Sequence, residues 1–282
     1  MNMKYFIVDA FTEHPFGGNT AGVVLLRDAF FPDEDVMLHV ADELRYSETV
    51  FVRRAARNVW HLRYFTPRGE VNLCGHATVA AFTVLFRRWI AEGPCRARTG
   101  AGELEVVAGP EVMMQMAAPS IVSTLGDANT REVLCAVGLG DSTPVELPVQ
   151  VVSTGLPDVI LPVADVATLN ALRPDMEAVG ALTQRLGAVS FHAFALADDG
   201  YTAHVRNFAP AYGIPEESAT GTANGALTHY LATHGVIAPG DHRFLQGEAI
   251  GHPSTVATCL APDGTVKVGG PAVIVAEGKL YV

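Results

Sequence analysis

The stretch RYFTPRGEVNLCGHATVAAF (63–82) returns in altered form as RNFAPAYGIPEESATGTANGAL (206–227). Both begin with Arg-x-Phe-x-Pro, and both reach a glycine between polar residues before an alanine-rich run. Upstream, residues 51–67 match residues 194–210 without a gap, and each segment is typical of strand, polar turn and strand. The shared phrase is therefore part of a longer repeat.

Helices are predicted on both sides of each copy. PDEDVMLHVADEL starts at Pro32 and PDMEAVGALTQRL at Pro174; each has apolar residues on one helical face, and Gly187 ends the second helix. A further helix follows each phrase, and Gly235 ends the later one. The residues that define the four faces are Val36, Met37, Val40 and Leu44; Val79, Phe82, Phe86 and Ile90; Met176, Val179, Leu182 and Leu186; and Ala223, Leu227, Tyr230 and Leu231. Matched elements in the same order indicate an internal duplication.

The repeat predicts an α+β fold of two pseudo-symmetric halves, each a mixed or antiparallel sheet wrapped around a central helix. Residues 1–120 form the first half, and residues 121–282 form the second. Between them, APSIVSTLGDANT (118–130) has the Pro, Ser, Gly and Asn of a linker.

Composition narrows the class of protein. Of 282 residues, 49% are hydrophobic and 17% charged, as in a compact globule, and the net charge of −11 disfavours nucleic acid as a partner. No signal peptide or membrane span is predicted. The four cysteines form no C-x-x-C and no metal spacing, which predicts a reduced cytoplasmic protein without a metal site.

Each copy places a glycine-containing turn at the start of a helix, Cys74-Gly75-His76 in the first and Thr220-Gly221-Thr222 in the second. The first turn of a helix has free backbone N–H groups and partial positive charge, so it suits an anion such as a carboxylate. If the halves pack about a pseudo-twofold axis, both helix starts can bind the carboxylate of one substrate. The alternative is that each glycine only lets its helix pack closely.

The acids differ between the copies. Glu48 lies in RYSETVFV, and the ungapped match puts Phe191 at its place; the second copy has Glu216-Glu217 in its loop instead. Two such carboxylates could do acid/base work on a carbon acid, with desolvation raising their pKa values toward neutrality. The alternative is two solvated surface glutamates.

Two further side chains of the first turn are candidates for chemistry. His76 is an acid/base, a ligand hydrogen-bonder or a structural residue. Cys74 is either a thiol whose pKa is lowered by the helix start or a small buried hydrophobe.

Five successive motifs carry a family resemblance: VDAFTEHPFGGNTAGVV, SETVFV, FTPRGEVNLCGHAT, GIPEESATGTANG and QGEAIGHPS. Together they span nearly the whole chain and resemble the phenazine-biosynthesis (PhzF-like) isomerases. The resemblance implies a diaminopimelate epimerase-like fold, a site between the halves, a homodimer, and isomerisation of dihydro-hydroxyanthranilate without metal or organic cofactor. It further implies that Glu48 is the catalytic acid/base and that His76 and Glu217 are its site partners. The implied substrate-facing residues are Asn19, Ser47, Cys74, Gly75, Thr220, Gly221 and Thr222.

This sequence departs from the family pattern at three places. The E-D-P-A-T-G-S motif reads Glu216-Glu217-Ser218 and ends in Thr222, and G-R-P-S has His252 in place of arginine. These changes bear on the substrate more than on the chemistry.

Three functions stay open. Related epimerases and racemases use two facing thiols. Here Cys74 would face Thr220, and a hydroxyl is far too weak an acid to reprotonate a carbanion as a thiol does. The first function is an isomerase in which Glu48 moves a proton on a small amino-acid-like or cyclic carboxylate, resembling trans-2,3-dihydro-3-hydroxyanthranilate isomerase. The second is a Cys74-dependent epimerase or dehydratase of a hydroxy amino acid. The third is a non-catalytic binding protein for small molecules.

Overall fold

A computed structural model describes residues 2–27, 30–141 and 143–282. The chain divides into two compact units, Met1–Gln115 with Gly269–Val282, and Met116–Val268. The repeat predicts that the C-terminal segment belongs to the second half, but Gly269–Val282 groups with the first unit instead. Each unit combines helices with a mixed sheet, which confirms the α+β class.

The elements are numbered in chain order. Those of the first unit are β1 (Asn2–Ala10), β2 (Asn19–Leu25), α1 (Glu34–Leu44), β3 (Thr49–Ala56), β4 (Val59–Thr66), β5 (Gly69–Val71), α2 (Gly75–Arg87), β6 (Gly93–Thr99), β7 (Gly102–Ala108) and β8 (Glu111–Gln115). Those of the second are β9 (Ser120–Thr124), α3 (Asp127–Ala136), β10 (Gln150–Ser153), β11 (Pro157–Pro162), α4 (Val166–Ala171), α5 (Met176–Leu186), β12 (Ser190–Leu196), β13 (Ala203–Ala209), β14 (Ile214–Glu217), α6 (Gly221–Thr233), β15 (Gly240–Gln246) and β16 (Ser254–Leu260). The last strand, β17 (Val266–Tyr281), begins in the second unit and ends in the first.

The strand pairings repeat between the units. In the first, β2 pairs parallel with β3, β3 antiparallel with β4, and β4 antiparallel with β5 and parallel with β6. In the second, β11, β12, β13, β14 and β15 pair in the same pattern. A shared order of parallel and antiparallel pairs supports the predicted duplication.

Each unit has one helix that is buried on nearly all sides. In α2 every residue from His76 to Leu85 is buried, and the helix packs on β1, β2, β3, β7 and β8. In α6 the buried residues include Leu227, Tyr230 and Leu231, which pack with apolar residues of the surrounding strands. Both helices have 13 residues and follow a residue with extended backbone. The prediction of a sheet wrapped around a central helix is confirmed in both units.

Strand register corrects one residue match. Phe65 of β4 pairs with Thr49, whereas the equivalent Phe208 of β13 pairs with Phe191. The ungapped match is therefore wrong by one residue in the first strand, because the hairpin connection is one residue longer in the second unit: five residues separate the paired Arg54 and Trp60, and six separate the equivalent Leu196 and Ala203. As a result, the position equivalent to Glu48 is Ser190 and not Phe191.

Helix limits largely follow the predicted patterns. Helix α5 ends at Gly187, whose φ of 67° is the left-handed conformation that favours glycine. Helix α2 stops at Arg87, so the predicted place of Ile90 on its apolar stripe is wrong; Trp89, at φ 58°, turns the chain away. The predicted linker is also wrong in part, because its β-branched residues form β9, which pairs with β10. Within the described residues, no helix is long and apolar enough to cross a membrane.

Candidate active site

The first unit brings Glu48 and His76 together. Glu48 immediately precedes β3, and its carbonyl oxygen accepts a hydrogen bond from the backbone N–H of Gly22 at 3.1 Å. His76 lies in the first turn of α2 and is buried, with 7% of its side chain exposed. Its Nε2 is 3.2 Å from Oε2 of Glu48, whose side chain is 19% exposed. The pair is therefore shielded from bulk water but still open on the Glu48 side.

Two predicted neighbours complete this cluster. Oγ of Ser47 lies 3.4 Å from Nε2 of His76, and Sγ of Cys74 lies 3.4 Å from Nδ1. Cys74 is the residue before α2, and its carbonyl oxygen accepts a 2.7 Å hydrogen bond from the Thr78 hydroxyl. This contact fixes the backbone of the Cys-Gly-His turn from inside the helix. Ser47, Glu48, Cys74 and His76 thus form the acid/base cluster.

The charges within the cluster oppose one sequence prediction. Burial by itself raises the pKa of Glu48, but hydrogen bonds and charge from His76, with smaller contributions from Ser47 and Cys74, outweigh it and lower the pKa below its usual range. The predicted rise toward neutrality is therefore wrong for Glu48. Burial alone would lower the pKa of His76, but contacts with Cys74 and Glu48 hold that pKa well above its usual value. A carboxylate paired with an imidazolium is the result.

The pKa of the Cys74 thiol also differs from its prediction. Burial raises the pKa of its thiol, and this effect exceeds the lowering by the His76 charge and by the helix-start N–H of Ala77. The helix start does favour the thiolate, but burial outweighs it, so the prediction of a lowered thiol pKa is wrong. Cys74 sits in the cluster as a protonated thiol, a weak hydrogen-bond donor.

The cluster also has the composition of a metal site. Ligand atoms of Glu48, Cys74 and His76 lie within 4.8 Å of one another, and among the described residues this is the one such group of three. Carboxylate, thiolate and imidazole are ligands that zinc accepts. However, the short contacts between the three side chains already satisfy one another as hydrogen bonds and an ion pair. That the protein works without metal stays a prediction.

In the second unit, Glu217 and Thr220 are in direct contact. The hydroxyl of Thr220 donates to Oε2 of Glu217 at 2.7 Å, and both residues are half-buried. Thr220 takes the position before α6 that Cys74 takes before α2. Gly221 and Thr222 open the helix, and the carbonyl oxygen of Thr222 accepts a 2.9 Å hydrogen bond from the Thr154 hydroxyl.

The two neighbouring glutamates of this loop, Glu216 and Glu217, have different roles. Arg206 grips Glu216 through two hydrogen bonds of 2.9 and 2.7 Å, and each side chain is 9% exposed. The same guanidinium also donates to the carbonyl oxygens of Leu169 and Leu172 beside α4. Glu216 is therefore a structural partner, and Glu217 is the carboxylate that lies at the helix start.

Two buried amides that sequence reasoning missed hold this loop. Nε2 of Gln246 donates to the Glu217 carbonyl oxygen at 2.8 Å and to the Thr220 hydroxyl at 3.0 Å. Its Oε1 accepts from the Thr220 N–H at 3.1 Å and from Nδ2 of Asn224 at 2.9 Å. Gln246 and Asn224 are fully buried. The glutamine that opens QGEAIGHPS was the available signal, but its partners lie too far along the chain to be recognised from spacing.

The remaining predicted residues take these places. Asn19 is half-buried at the start of β2, opposite Ala10 of β1. At Gly75 an added Cβ would come no closer than 3.7 Å to the Met114 methyl group, which is an ordinary contact. Close packing therefore does not require glycine there, and that alternative is disfavoured. His252, which departs from the family pattern, is exposed.

Sequence comparisons identify the family to which the chain belongs. The profile of a family described as "Phenazine biosynthesis-like protein" matches residues 8–278. An uncharacterized isomerase of Deinococcus radiodurans is 38% identical over 292 residues, covering 98% of this chain and 94% of the relative. The trans-2,3-dihydro-3-hydroxyanthranilate isomerase of Pseudomonas chlororaphis is 34% identical over 266 residues, covering 89% and 87% of the two chains.

Structural comparisons extend the likeness. The crystal structure of a Bacillus anthracis phenazine biosynthesis protein of the PhzF family superposes with a TM-score of 0.85 at 28% identity, covering all of both chains. A hydroxyproline epimerase from Agrobacterium vitis superposes with a TM-score of 0.61 at 13% identity, covering 99% of this chain and 92% of the other. The second likeness shows a shared fold alone, and it agrees with the predicted epimerase-like architecture.

Proposed function

The chain belongs to the phenazine biosynthesis-like (PhzF) family of isomerases, and we propose that it moves a proton within a small amino-acid-like or cyclic carboxylate, with Glu48 as acid/base and no cofactor. The reaction resembles that named for the Pseudomonas chlororaphis relative. The observation that carries the proposal is the contact of 3.2 Å between the Glu48 carboxylate and Nε2 of buried His76.

The acid/base cluster supplies the parts of such a proton transfer. Glu48 is ionised, so it accepts a proton from a carbon next to an unsaturated or carbonyl group. The electron pair of the broken C–H bond moves along the conjugated substrate. Glu48 then returns a proton, either the one it accepted or one exchanged with solvent, to another carbon, so nothing but the position of hydrogen and double bond changes. His76, held as an imidazolium, orients Glu48 and a substrate amine or hydroxyl group.

The helix starts are proposed to bind the substrate carboxylate. Backbone N–H groups at Gly75 and Gly221 belong to the first turns of helices α2 and α6, where the partial positive charge is concentrated. Glu217, tied to Thr220, is proposed to hold a substrate amine or hydroxyl. Asn19 and Thr222 are proposed as further contacts. That both helix starts serve one substrate stays a prediction, as do a homodimeric state and a cytoplasmic location.

Solvent-deuterium uptake tests the proposal. The protein is incubated in deuterated water with trans-2,3-dihydro-3-hydroxyanthranilate and with a panel of proline-like, hydroxy-amino-acid and cyclic carboxylates, each followed by mass spectrometry and proton NMR. A proton that visits Glu48 exchanges with solvent during part of the turnovers, so isomerised product carrying deuterium supports the proposal. Ligands that bind, by isothermal calorimetry, but neither isomerise nor exchange would instead identify a non-catalytic binding protein.

A second candidate function rests on the contact of Cys74 with His76. Sγ of Cys74 lies 3.4 Å from Nδ1, so the charge of the His76 imidazolium favours a Cys74 thiolate, which is the reactive form in a Cys74-dependent epimerase or dehydratase. The raised pKa of the thiol weighs against it. The two functions differ in their response to mutation: Cys74→Ala abolishes turnover in the second and leaves most of it in the first, whereas Glu48→Gln does the reverse.

A further inference from the structure

A buried carboxyl group of the second unit lies on the sheet face that α6 covers. Asp158 of β11 is 2% exposed and points to the same face as Ile160, which packs with Leu227 and Tyr230 of α6. Oδ1 of Asp158 accepts a 2.6 Å hydrogen bond from the Ser190 hydroxyl. Within the described residues, the buried Oδ2 has no hydrogen-bond partner. In a dry site, a carboxylate with half of its acceptor capacity unused costs much more free energy than the neutral carboxylic acid does.

Among the described residues, no positive charge acts on Asp158. Nδ2 of Asn207 donates to Oγ of Ser190 at 2.7 Å and to Nδ1 of His192 at 3.1 Å. Because Nδ1 accepts, the proton of this imidazole is on Nε2 and the ring is neutral. Burial lowers the pKa of His192 to about 3, so His192 stays neutral at physiological pH.

The other charged groups of the neighbouring strands do not compensate Asp158. Arg206 alternates with Asn207 along β13, so it faces the opposite side of the sheet, where it is paired with Glu216. The strand β10 places Val152 opposite Asp158, and the first turns of α6 contribute the amide of Asn224. Of the described residues, Glu217 is the charged group that acts on Asp158.

Glu217 and Asp158 influence each other through this polar cluster. Glu217 is the cross-strand neighbour of Asn207, which in turn binds Ser190, the partner of Asp158. Burial raises the pKa of Asp158 to about 7, the Ser190 hydrogen bond opposes the shift, and the negative charge of Glu217 adds to it. A negative charge on either carboxyl group therefore disfavours a charge on the other.

The internal repeat shows that this arrangement replaces the acid/base cluster of the first unit. Strand register makes Ser190 the equivalent of Glu48. In the first unit that position carries an ionised acid paired with a histidine of the central helix. In the second, the position carries a hydroxyl that binds a carboxyl group from the next strand.

We propose that Asp158 is a charge-setting partner of Glu217: by holding a proton in mildly acidic solution, and in part of the molecules at neutral pH, it leaves the single negative charge of the two carboxyl groups on Glu217, at the start of α6. Asp158 is a positioning residue in this proposal, since it acts through Glu217 and touches no substrate. The inference rests on the proposed role of Glu217. Its test reads the carboxyl groups directly and needs no turnover, so failure of one proposal is distinguishable from failure of the other.

The test is a carboxyl-carbon NMR titration of protein labelled with ¹³C at the side-chain carboxyl groups of Asp and Glu. In the wild-type protein, one Asp signal should titrate with a midpoint near 7, and Asp158→Asn should remove that signal. Glu217→Gln removes the neighbouring negative charge, so it should move the midpoint to lower pH. Ser190→Ala removes the hydrogen bond that favours the carboxylate, so it should move the midpoint to higher pH.

Controls separate this coupling from a general effect of mutation. Asp198→Asn changes an exposed acid of the same unit and should leave the midpoint where it is. Amide spectra report whether each variant is folded, and the Glu217 and Ser190 variants test the coupling even if Asp158→Asn does not fold. A wild-type Asp158 midpoint in the ordinary Asp range, about 4, overturns the proposal. A midpoint near 7 that Glu217→Gln leaves unmoved also overturns it, because Asp158 would then be buried but not coupled.

Discussion

The carboxylate of Glu48 lies 3.2 Å from Nε2 of His76, so a side chain ahead of β3 and one from the first turn of α2 form an ion pair in the first unit. The pair explains why a half-buried glutamate stays ionised. It also means that the base strength of Glu48 is set by the histidine and not by desolvation, which alone would act in the opposite direction.

The ion pair predicts the pH dependence of a His76→Asn variant. Loss of the histidine leaves burial as the main influence on Glu48, so its pKa rises, and the acid limb of deuterium uptake moves to higher pH. The sign follows because Glu48 must be ionised to accept a proton. The measurement is the rate of deuterium uptake against pH with the best substrate of the panel. His39→Asn, an exposed histidine of the same unit, is the control; an acid limb that stays in place would show that His76 does not tune Glu48.

Thiol reactivity checks the state of Cys74. Burial raises the pKa of this thiol, so it should react slowly with iodoacetamide in neutral solution. Exposed Cys135 provides an internal comparison and should be alkylated first by at least about tenfold in rate, as read by peptide mass spectrometry. Equally fast alkylation of both residues would indicate a thiolate at Cys74 and would favour the Cys74-dependent function.

Gln246 is predicted to stabilise the loop that carries Glu217 and Thr220. Gln246→Ala leaves buried donors and acceptors of that loop unpaired, each at a cost of about 1–3 kcal/mol. The free energy of unfolding in urea should therefore fall by at least that amount, and deuterium uptake should fall with it. Gln184→Ala, on the exposed side of α5, should change neither quantity appreciably. A Gln246→Ala protein with wild-type stability would contradict the loop-holding role.

The raised pKa of the buried Asp158 carboxyl group predicts how the stability of the protein depends on pH. Its pKa is about 7 in the folded protein, above its ordinary value of 3.8, so its contribution to stability is fully present below the ordinary value and is lost as pH rises through about 7. Asp158→Asn cannot ionise and lacks this loss. Relative to the wild type, the variant should gain stability as pH rises from about 4 to about 7, by a few kcal/mol, since one pKa unit is worth about 1.4 kcal/mol. Urea unfolding at several pH values measures the difference, and parallel curves would contradict the buried neutral acid.

Local patterns were sufficient for much of the fold. Apolar periodicity and an end signal at Gly187 predict α5, and the repeated Arg-x-Phe-x-Pro phrase predicts two similar units, because both signals lie within short stretches of chain. The same reasoning missed the one-residue shift that makes Ser190 the equivalent of Glu48. An ungapped comparison keeps a single offset through both strands, so it cannot detect a hairpin connection that is one residue longer in one copy.

The site likewise has residues that motifs identify and properties that only the tertiary structure reveals. Motif resemblance identified Glu48, His76 and Glu217, and the structure brings the first two into contact. It did not predict the lowered pKa of Glu48, because that depends on a partner 28 positions away in sequence whose distance only tertiary structure defines. Partners such as Gln246, drawn from a distant strand, are equally invisible to spacing arguments.

The rate of solvent-deuterium uptake by Glu48→Gln tests the central claim most directly. Glutamine keeps the size of the side chain and removes its ability to accept a proton, so the rate should fall by at least about 100-fold relative to wild type. Glu43→Gln, an exposed acid of α1, is the matched control and should keep the wild-type rate. A Glu48→Gln protein that exchanges and isomerises its substrate at the wild-type rate would contradict the account.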